Sequence, residues 1–274
     1  MDMTDDTELP ALLPRVHDIA REAGAAILQI YAGDAFDIER KADHSPLTAA
    51  DTVAHETILA GLRALPGDYP VLSEESAEVP YSERRHWHTY WLVDPLDGTR
   101  EFIKRNGEFT VNIALVRDGV PVLGVVYAPV LDRLYYGSAA DGAFRRDGGA
   151  SAHPIHVRER AADPIRVAGS RSHANERMSA YLDCLGSHEL RPMGSSLKSC
   201  LVAEGEADLY PRLGPTSEWD TAAAQAVVEA AGGWVVDAAN RPLRYNQGES
   251  LLNPDFLVFG DSRRDWTACL PPAD

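Results

Sequence analysis

Along the first part of the chain the apolar positions recur at helical spacing. Val16, Ile19, Ala20, Ala23, Ile27 and Ile30 fall on one face of a 3.6-residue repeat, which predicts an amphipathic helix over about 12–31. A second helix is predicted to start near Thr48 to Asp51 in "SPLTAADTVAHETILAGLRAL", with Val53, Thr57, Ile58 and Leu62 inward, and to stop before Pro66-Gly67. The period then changes. "YPVLSEE", "YWLVD", "FTVNIALV", "VPVLGVVYAPV" and "LYYGSA" are short β-rich runs broken by turn residues such as Arg117-Asp118-Gly119, which predicts a largely antiparallel sheet. Helices followed by strands make an α+β half.

From about Asp163 the rhythm becomes strand-helix alternation: "PIRVAGS", a helix near 174–185, "SLKSCLVAEG", "ADLYPR", the helix "TAAAQAVVEAAGG" and "WVVDA". Such alternation is α/β in character. The Gly-, Pro- and charge-rich segment "DGGASAHPIHVRERAADP" is the natural divide, giving an N-terminal α+β domain over 1–158 and a C-terminal α/β domain over 159–274.

Composition narrows the function. Hydrophobic residues at 45% and charged residues at 25% are those of a folded soluble protein, with disorder confined to the termini. A formal net charge of -16 argues against DNA or RNA as partner, because phosphate backbones are met by basic faces. A small anion stays open, since cations held by acidic side chains reverse the local field. Cys184, Cys200 and Cys269 form no paired spacing and read as packing residues of a reducing compartment. The start "MDMTDDTELPALL" is acidic where a secretion signal is basic, and no apolar run approaches the roughly 18 residues of a membrane span, so a cytoplasmic location is expected.

Three acidic groups stand at predicted element ends. Asp94 and Asp97 in "WLVDPLDGTREF" follow a strand; Glu74 and Glu75 in "LSEES" follow another; Asp220 in "SEWDTAAAQAVVEAAGG" opens an alanine-rich helix. Each has a plain structural reading: turn punctuation, solvated surface and a helix cap, respectively. Together they can converge without straining a core, and with the Leu96 carbonyl they form the hard oxygen set that suits Mg²⁺.

The pair "DPLDGT" and "WDTAAAQAVVEAAGG" resembles the two signature motifs of the inositol monophosphatase superfamily of Mg²⁺-dependent, lithium-sensitive phosphatases. The similarity continues through "SPLTAAD", "VLSEES", "SRSH", "GSSLKSCLVAEGEADLYPR" and "LNP", from about residue 12 to 260. Within the superfamily, "GTREFIKRNGEFTVNIAL" and "GSSLKSC" with "LYPR" look like the bacterial 3'(2'),5'-bisphosphate nucleotidase branch rather than the inositol phosphatases, which tend to have Thr-Asn in place of Arg100-Glu101.

The resemblance implies a layered α-β-α-β-α sandwich, the sugar phosphatase fold, with two Mg²⁺ ions. Glu74, Asp94 and the Leu96 carbonyl would hold one ion, and Asp94, Asp97 and Asp220 the second; a third, weaker ion near Glu74 would draw on Glu75 through water. Thr99, oriented by Asp51, would relay the proton of the attacking water, and the backbone N–H groups of Gly98 and Thr99 would face phosphate. His173, Ser195, Ser196, Lys198 and Arg212 would line the nucleotide side. A two-cation site activates water on one side of phosphorus and stabilises the leaving oxygen on the other, with the ions about 3.5–4 Å apart.

The implied activity is removal of the 3'-phosphate from adenosine 3',5'-bisphosphate, with 3'-phosphoadenylyl sulfate as a second substrate and a role in clearing this by-product of sulfate assimilation. An inositol monophosphatase or fructose 1,6-bisphosphatase shares the metal site and is the alternative. A metal or nucleotide sensor without turnover is a further one. Monomer and homodimer both stay open. Related bacterial enzymes have been described as loosely attached to the inner face of the cytoplasmic membrane, for which the sequence supplies no anchor.

Overall fold

Two faces of one sheet fix the architecture. The computed structural model describes residues 9–33, 38–40, 46–76, 79–170 and 176–272. Helix α1 (Leu9–Tyr31) precedes a two-stranded ribbon of β1 (Ile38–Arg40) and β2 (Pro46–Thr48), and then comes α2 (Ala49–Arg63). A seven-stranded sheet follows: β3 (Val71–Ser73), β4 (Thr89–Asp97), β5 (Thr110–Arg117), β6 (Val120–Ala128), β7 (Arg133–Ser138), β8 (Gly142–Asp147) and β9 (His153–Pro154). The strands lie in sequence order, antiparallel except for the β3–β4 pair. Short helices α3 (Tyr81–Arg84) and α4 (Thr99–Ile103) interrupt the series.

The apolar stripe of α1 is buried as its spacing demands: Val16, Ala20, Ala23 and Ile27 have no exposed surface, and Ile30 packs at the margin. In helix α2, Ile58 and Leu62 are inward as expected, whereas Val53 is exposed and Thr57 only part-buried. Ala50, Ala54, Ile58 and Leu62 make its buried face while Val53 is exposed, because two alanines rather than a valine give α1 room to lie close. Both helices close over Trp91, Val93, Val111, Ile113 and Val125 of the sheet.

The second half holds β10 (Ile165–Gly169), α5 (Glu176–Leu185), β11 (His188–Pro192), α6 (Leu197–Ala203), β12 (Leu209–Arg212), α7 (Glu218–Ala230), β13 (Trp234–Asp237) and β14 (Phe256–Phe259). Its five strands run in the order β11-β10-β12-β14-β13 and form a mixed sheet, parallel at β10 and antiparallel at β14. Helix α7 lies between the two sheets, so every residue from Thr221 to Val228 is buried. An alanine-rich sequence makes that possible. At Gly124 of β6 an added Cβ would sit 2.1 Å from the Ala223 carbonyl oxygen, so the strand and helix touch backbone to backbone there.

On the far side of the small sheet, Tyr181 and Leu185 of α5 pack with Trp266 of the C-terminal segment. The layers are therefore α1 and α2, seven strands, α6 and α7, five strands, then α5: the α-β-α-β-α sandwich expected. Cys184 and Cys269 are joined in a disulfide, with Cα atoms 5.6 Å apart, and only Cys200 is a buried packing residue. This corrects the reading of all three as packing thiols. Eighty-five residues separate the partners, so only the docking of α5 on the C-terminal turn brings them together. No described helix is long and apolar enough to cross a membrane.

Candidate active site

The site begins where β4 breaks its ladder. Asp94 pairs with Asn112 of β5, the register then shifts, and pairing resumes only at Asp97 with Thr110. Pro95, which has no N–H to donate, lies in the interruption. The bulge turns both aspartates toward α7, and carboxylate oxygens of Asp94, Asp97 and Asp220 lie within 4.8 Å of one another. Gly98 follows in the left-handed region at φ 95°, the conformation that starts α4 and carries Thr99 back over the Leu96 carbonyl.

Four further elements meet this turn. Glu74 stands in a 3-10 turn, Glu74–Ser76, at the end of β3 and shares a hydrogen bond with Asp94. Glu75 follows it in the same turn. Asp51, in the first turn of α2, lies 3.4 Å from the Thr99 hydroxyl that donates to its Oδ1. Asp220 is the third residue of α7. Ser196, at the start of α6, donates from its N–H at 2.6 Å and from its hydroxyl at 3.0 Å to Oδ2 of Asp97, and the Asn112 amide reaches the same oxygen at 3.4 Å.

Asp51 and Asp220 each serve a helix start as well as facing the site. Each aspartate closes a capping box, with Thr48 or Ser217 as the N-cap. Oδ2 of Asp51 accepts from the Thr48 N–H and hydroxyl, leaving Oδ1 toward Thr99. Oδ2 of Asp220 likewise accepts from the Ser217 N–H and the Thr216 hydroxyl.

Electrostatics test whether a cation fits. Burial pushes the Asp94 carboxyl well up, and the nearby Glu74, Asp97 and Asp220 carboxylates push it further. Burial and Asp220 lift Asp97 to about 6, against the pull of Lys198 and of the Ser196 hydrogen bonds. Acidic groups so placed repel one another unless a positive charge stands between them, and their donors are all oxygen. The set fits a hard divalent cation.

Beside the acids a cavity of about 150 Å³ is lined by Asp97, Gly98, Ser195, Ser196, Lys198, Arg212 and Asp220, with Glu101, Tyr210 and Thr216 in the wall. Through Ser170, Lys198, Tyr210 and Arg212 it shares a wall with a larger, mostly apolar chamber of about 650 Å³, which Met178, Leu182, Leu190 and Leu213 help to form. Lys198 is buried, donates to the Ser195 carbonyl at 2.6 Å and lies over the Tyr210 ring at 5.5 Å. Arg212 keeps its Nε buried without a hydrogen-bond partner among the described residues. Ser195 adopts φ 45°, and its Oγ accepts from Thr110. His173 lies outside the described residues.

Most of the expected residues are thus brought together, and several were not anticipated. Asn112 and Tyr210 lie inside the motifs "GTREFIKRNGEFTVNIAL" and "LYPR" but were not singled out, and Thr216 has no motif of its own; only the "S-x-x-D" spacing before α7 hinted at the cap. Trp91, beside the metal turn, is core.

The inositol monophosphatase family model matches residues 12–265. The chain belongs to the inositol monophosphatase family. It is similar to the 3'(2'),5'-bisphosphate nucleotidase CysQ of Escherichia coli (strain K12), with 54% identity over 90% of this chain and 99% of that protein. Among solved structures, CysQ from Bacteroides thetaiotaomicron superposes with a TM-score of 0.82 and 46% identity, covering 93% of this chain and 98% of that one. An inositol monophosphatase from Anabaena superposes with a TM-score of 0.73 at 25% identity, covering 97% of this chain and 98% of that one. The inositol monophosphatase fold accounts for both sheets and for the helices between and around them.

Proposed function

We propose that the chain is a Mg²⁺-dependent phosphomonoesterase that removes the 3'-phosphate of adenosine 3',5'-bisphosphate, leaving AMP and phosphate, with 3'-phosphoadenylyl sulfate as a second substrate. The observation that carries this reading is the pairing of a small acidic cavity with a larger apolar chamber across a wall that contains Lys198 and Arg212. A nucleotide asks for that arrangement: a base in the chamber, a retained phosphate against the two cations, and the phosphate to be cut among the carboxylates. The likeness to the CysQ proteins supports the same substrate class.

Glu74, Asp94 and the Leu96 carbonyl would hold one Mg²⁺, Asp94, Asp97 and Asp220 a second, and Glu75 would assist a third near Glu74. Bound there, the ions supply Lewis acidity and make water a nucleophile at neutral pH. The chain does the rest. Thr99 orients the water through its hydroxyl and passes a proton toward Asp51 Oδ1; the 3.4 Å between them is long, as such contacts often are before substrate enters. The water oxygen bonds to phosphorus as the bond to the 3'-oxygen breaks, and that oxygen takes a proton from solvent to become the 3'-hydroxyl of AMP. Lys198 and Arg212 hold the retained phosphate, with Ser195 on the nucleotide side and the Gly98 and Thr99 N–H groups around the phosphate that leaves.

A cytoplasmic location belongs to this reading, although the Cys184–Cys269 pair is the feature that argues for an oxidising one. The test is phosphate release at saturating Mg²⁺ from adenosine 3',5'-bisphosphate, inositol 1-phosphate and fructose 1,6-bisphosphate. A hundredfold preference in kcat/KM for the nucleotide, about 2.7 kcal/mol, is expected. Equal rates would make this a broad sugar-phosphate phosphatase, and no release from any of them would leave a sensor.

A further inference from the structure

The aspartates of the site share a pattern that the reaction alone does not explain. In Asp51, Asp97 and Asp220 one carboxylate oxygen lies within hydrogen-bond reach of both a hydroxyl and a backbone N–H. Thr48 supplies both to Asp51, at 2.6 and 2.7 Å. Ser196 supplies both to Asp97, at 3.0 and 2.6 Å. For Asp220 the two donors are separate: the Thr216 hydroxyl at 2.5 Å and the Ser217 N–H at 2.9 Å. Thr48 and Ser196 are buried, and the Ser196 hydroxyl has the Asp220 carbonyl within reach as well as Asp97. Two donors on one oxygen restrain the rotation of a carboxylate and favour turning its other oxygen to the chemistry.

We propose that Thr216, Ser196 and Thr48 are positioning residues, which restrain the rotation of the Asp220, Asp97 and Asp51 carboxylates and so favour one oxygen of each toward the metals or the attacking water. The assignment rests on the Mg²⁺ reading above. It also moves Ser196 away from the nucleotide. Its N–H goes to Asp97, the one proton of its hydroxyl serves Asp97 at 3.0 Å or the Asp220 carbonyl at 2.6 Å, and the Asn112 amide donates to that hydroxyl at 2.9 Å, which ties the β4 bulge to the start of α7. Ser196 therefore joins the segments carrying two carboxylates. Thr216 is the sharper case, because it lies outside the helix it serves and its neighbour Ser217 already completes the capping box. The helix can start without the Thr216 hydroxyl; the carboxylate loses one of two restraints.

Outer-shell partners of this kind typically change metal affinity by about 10- to 100-fold when removed. The experiment compares wild type with Thr216→Val, Thr216→Ser and Ser196→Ala. Mg²⁺ binding to the substrate-free protein is measured by titration calorimetry, the Mg²⁺ concentration for half-maximal activity and the nucleotide KM by assay, and folding by the melting temperature. Thr216→Val is expected to weaken Mg²⁺ binding about tenfold or more, with the nucleotide KM at saturating Mg²⁺ within about twofold of wild type. Thr216→Ser, which keeps the hydroxyl, should restore most of it. Ser196→Ala should follow Thr216→Val, and a rise in nucleotide KM with unchanged Mg²⁺ binding would return Ser196 to the substrate. Folded Thr216→Val and Ser196→Ala proteins that bind Mg²⁺ as wild type does would overturn the proposal alone. Wild-type protein that takes up no Mg²⁺ would overturn the metal reading, and this proposal with it.

Discussion

The two walls of the cavity are built on opposite principles. On the acidic wall, the carboxylates issue from the ends of β3, β4, α2 and α7, and Asp51, Asp97 and Asp220 each have one oxygen already restrained by a hydroxyl and an N–H. On the substrate wall, Arg212 keeps a buried Nε without a partner among the described residues, Lys198 leans on Tyr210 and a backbone carbonyl, and the floor is an apolar chamber. One wall has its geometry set before any ligand arrives; the other has donors still to be used. Preorganisation belongs where charge develops in the transition state, and adaptable contacts belong where the substrate is selected.

The largest expected effect falls on the acidic wall. Asp97→Asn should abolish turnover while the protein stays folded, read by phosphate release beside the melting curve; near-normal activity would remove the two-metal assignment. Next comes the substrate wall. Lys198→Ala should lower kcat/KM for the bisphosphonucleotide by about 10- to 100-fold, the worth of a charged hydrogen bond, and change hydrolysis of a simple monophosphate far less. Equal losses on both substrates would take Lys198 out of the specificity wall.

The smallest effect is on stability. Asp97 titrates near 6 in the folded, metal-free protein, above the ordinary carboxylate value of 3.8, so the folded state binds the proton more tightly than the unfolded state. Its contribution therefore turns against folding as pH rises from about 4 through 6. Without Mg²⁺, unfolding free energy should fall over that window more steeply in wild type than in Asp97→Asn. Added Mg²⁺ should remove the difference. Parallel pH profiles would mean the acidic wall carries no such repulsion.

How much of this could be read from residues alone depends on what encodes it. The α1 stripe and the β4–β7 runs are local periodicities and were legible, as were the motif carboxylates, because strand end, turn and helix start are written in adjacent residues. Strand β11 was missed because "HELRP" is a polar, exposed edge, and β14 because "FLVF" is short and buried on both sides, without alternation. Val53 was assigned inward because hydrophobicity outranks size in a periodicity reading, whereas packing against α1 favours the alanines. The Cys184–Cys269 pair, and the reach of Ser196 across 99 residues to Asp97, are products of the tertiary fold, which no spacing records.

The most direct measurement runs the reaction on adenosine 3',5'-bisphosphate in ¹⁸O-labelled water and locates the label and the remaining phosphate. Water attacking phosphorus beside Asp51 and Thr99, with the second phosphate retained by Lys198 and Arg212, predicts label in inorganic phosphate and AMP that carries only its 5'-phosphate. Label in a nucleoside hydroxyl, or a product that keeps the 3'-phosphate, would contradict it.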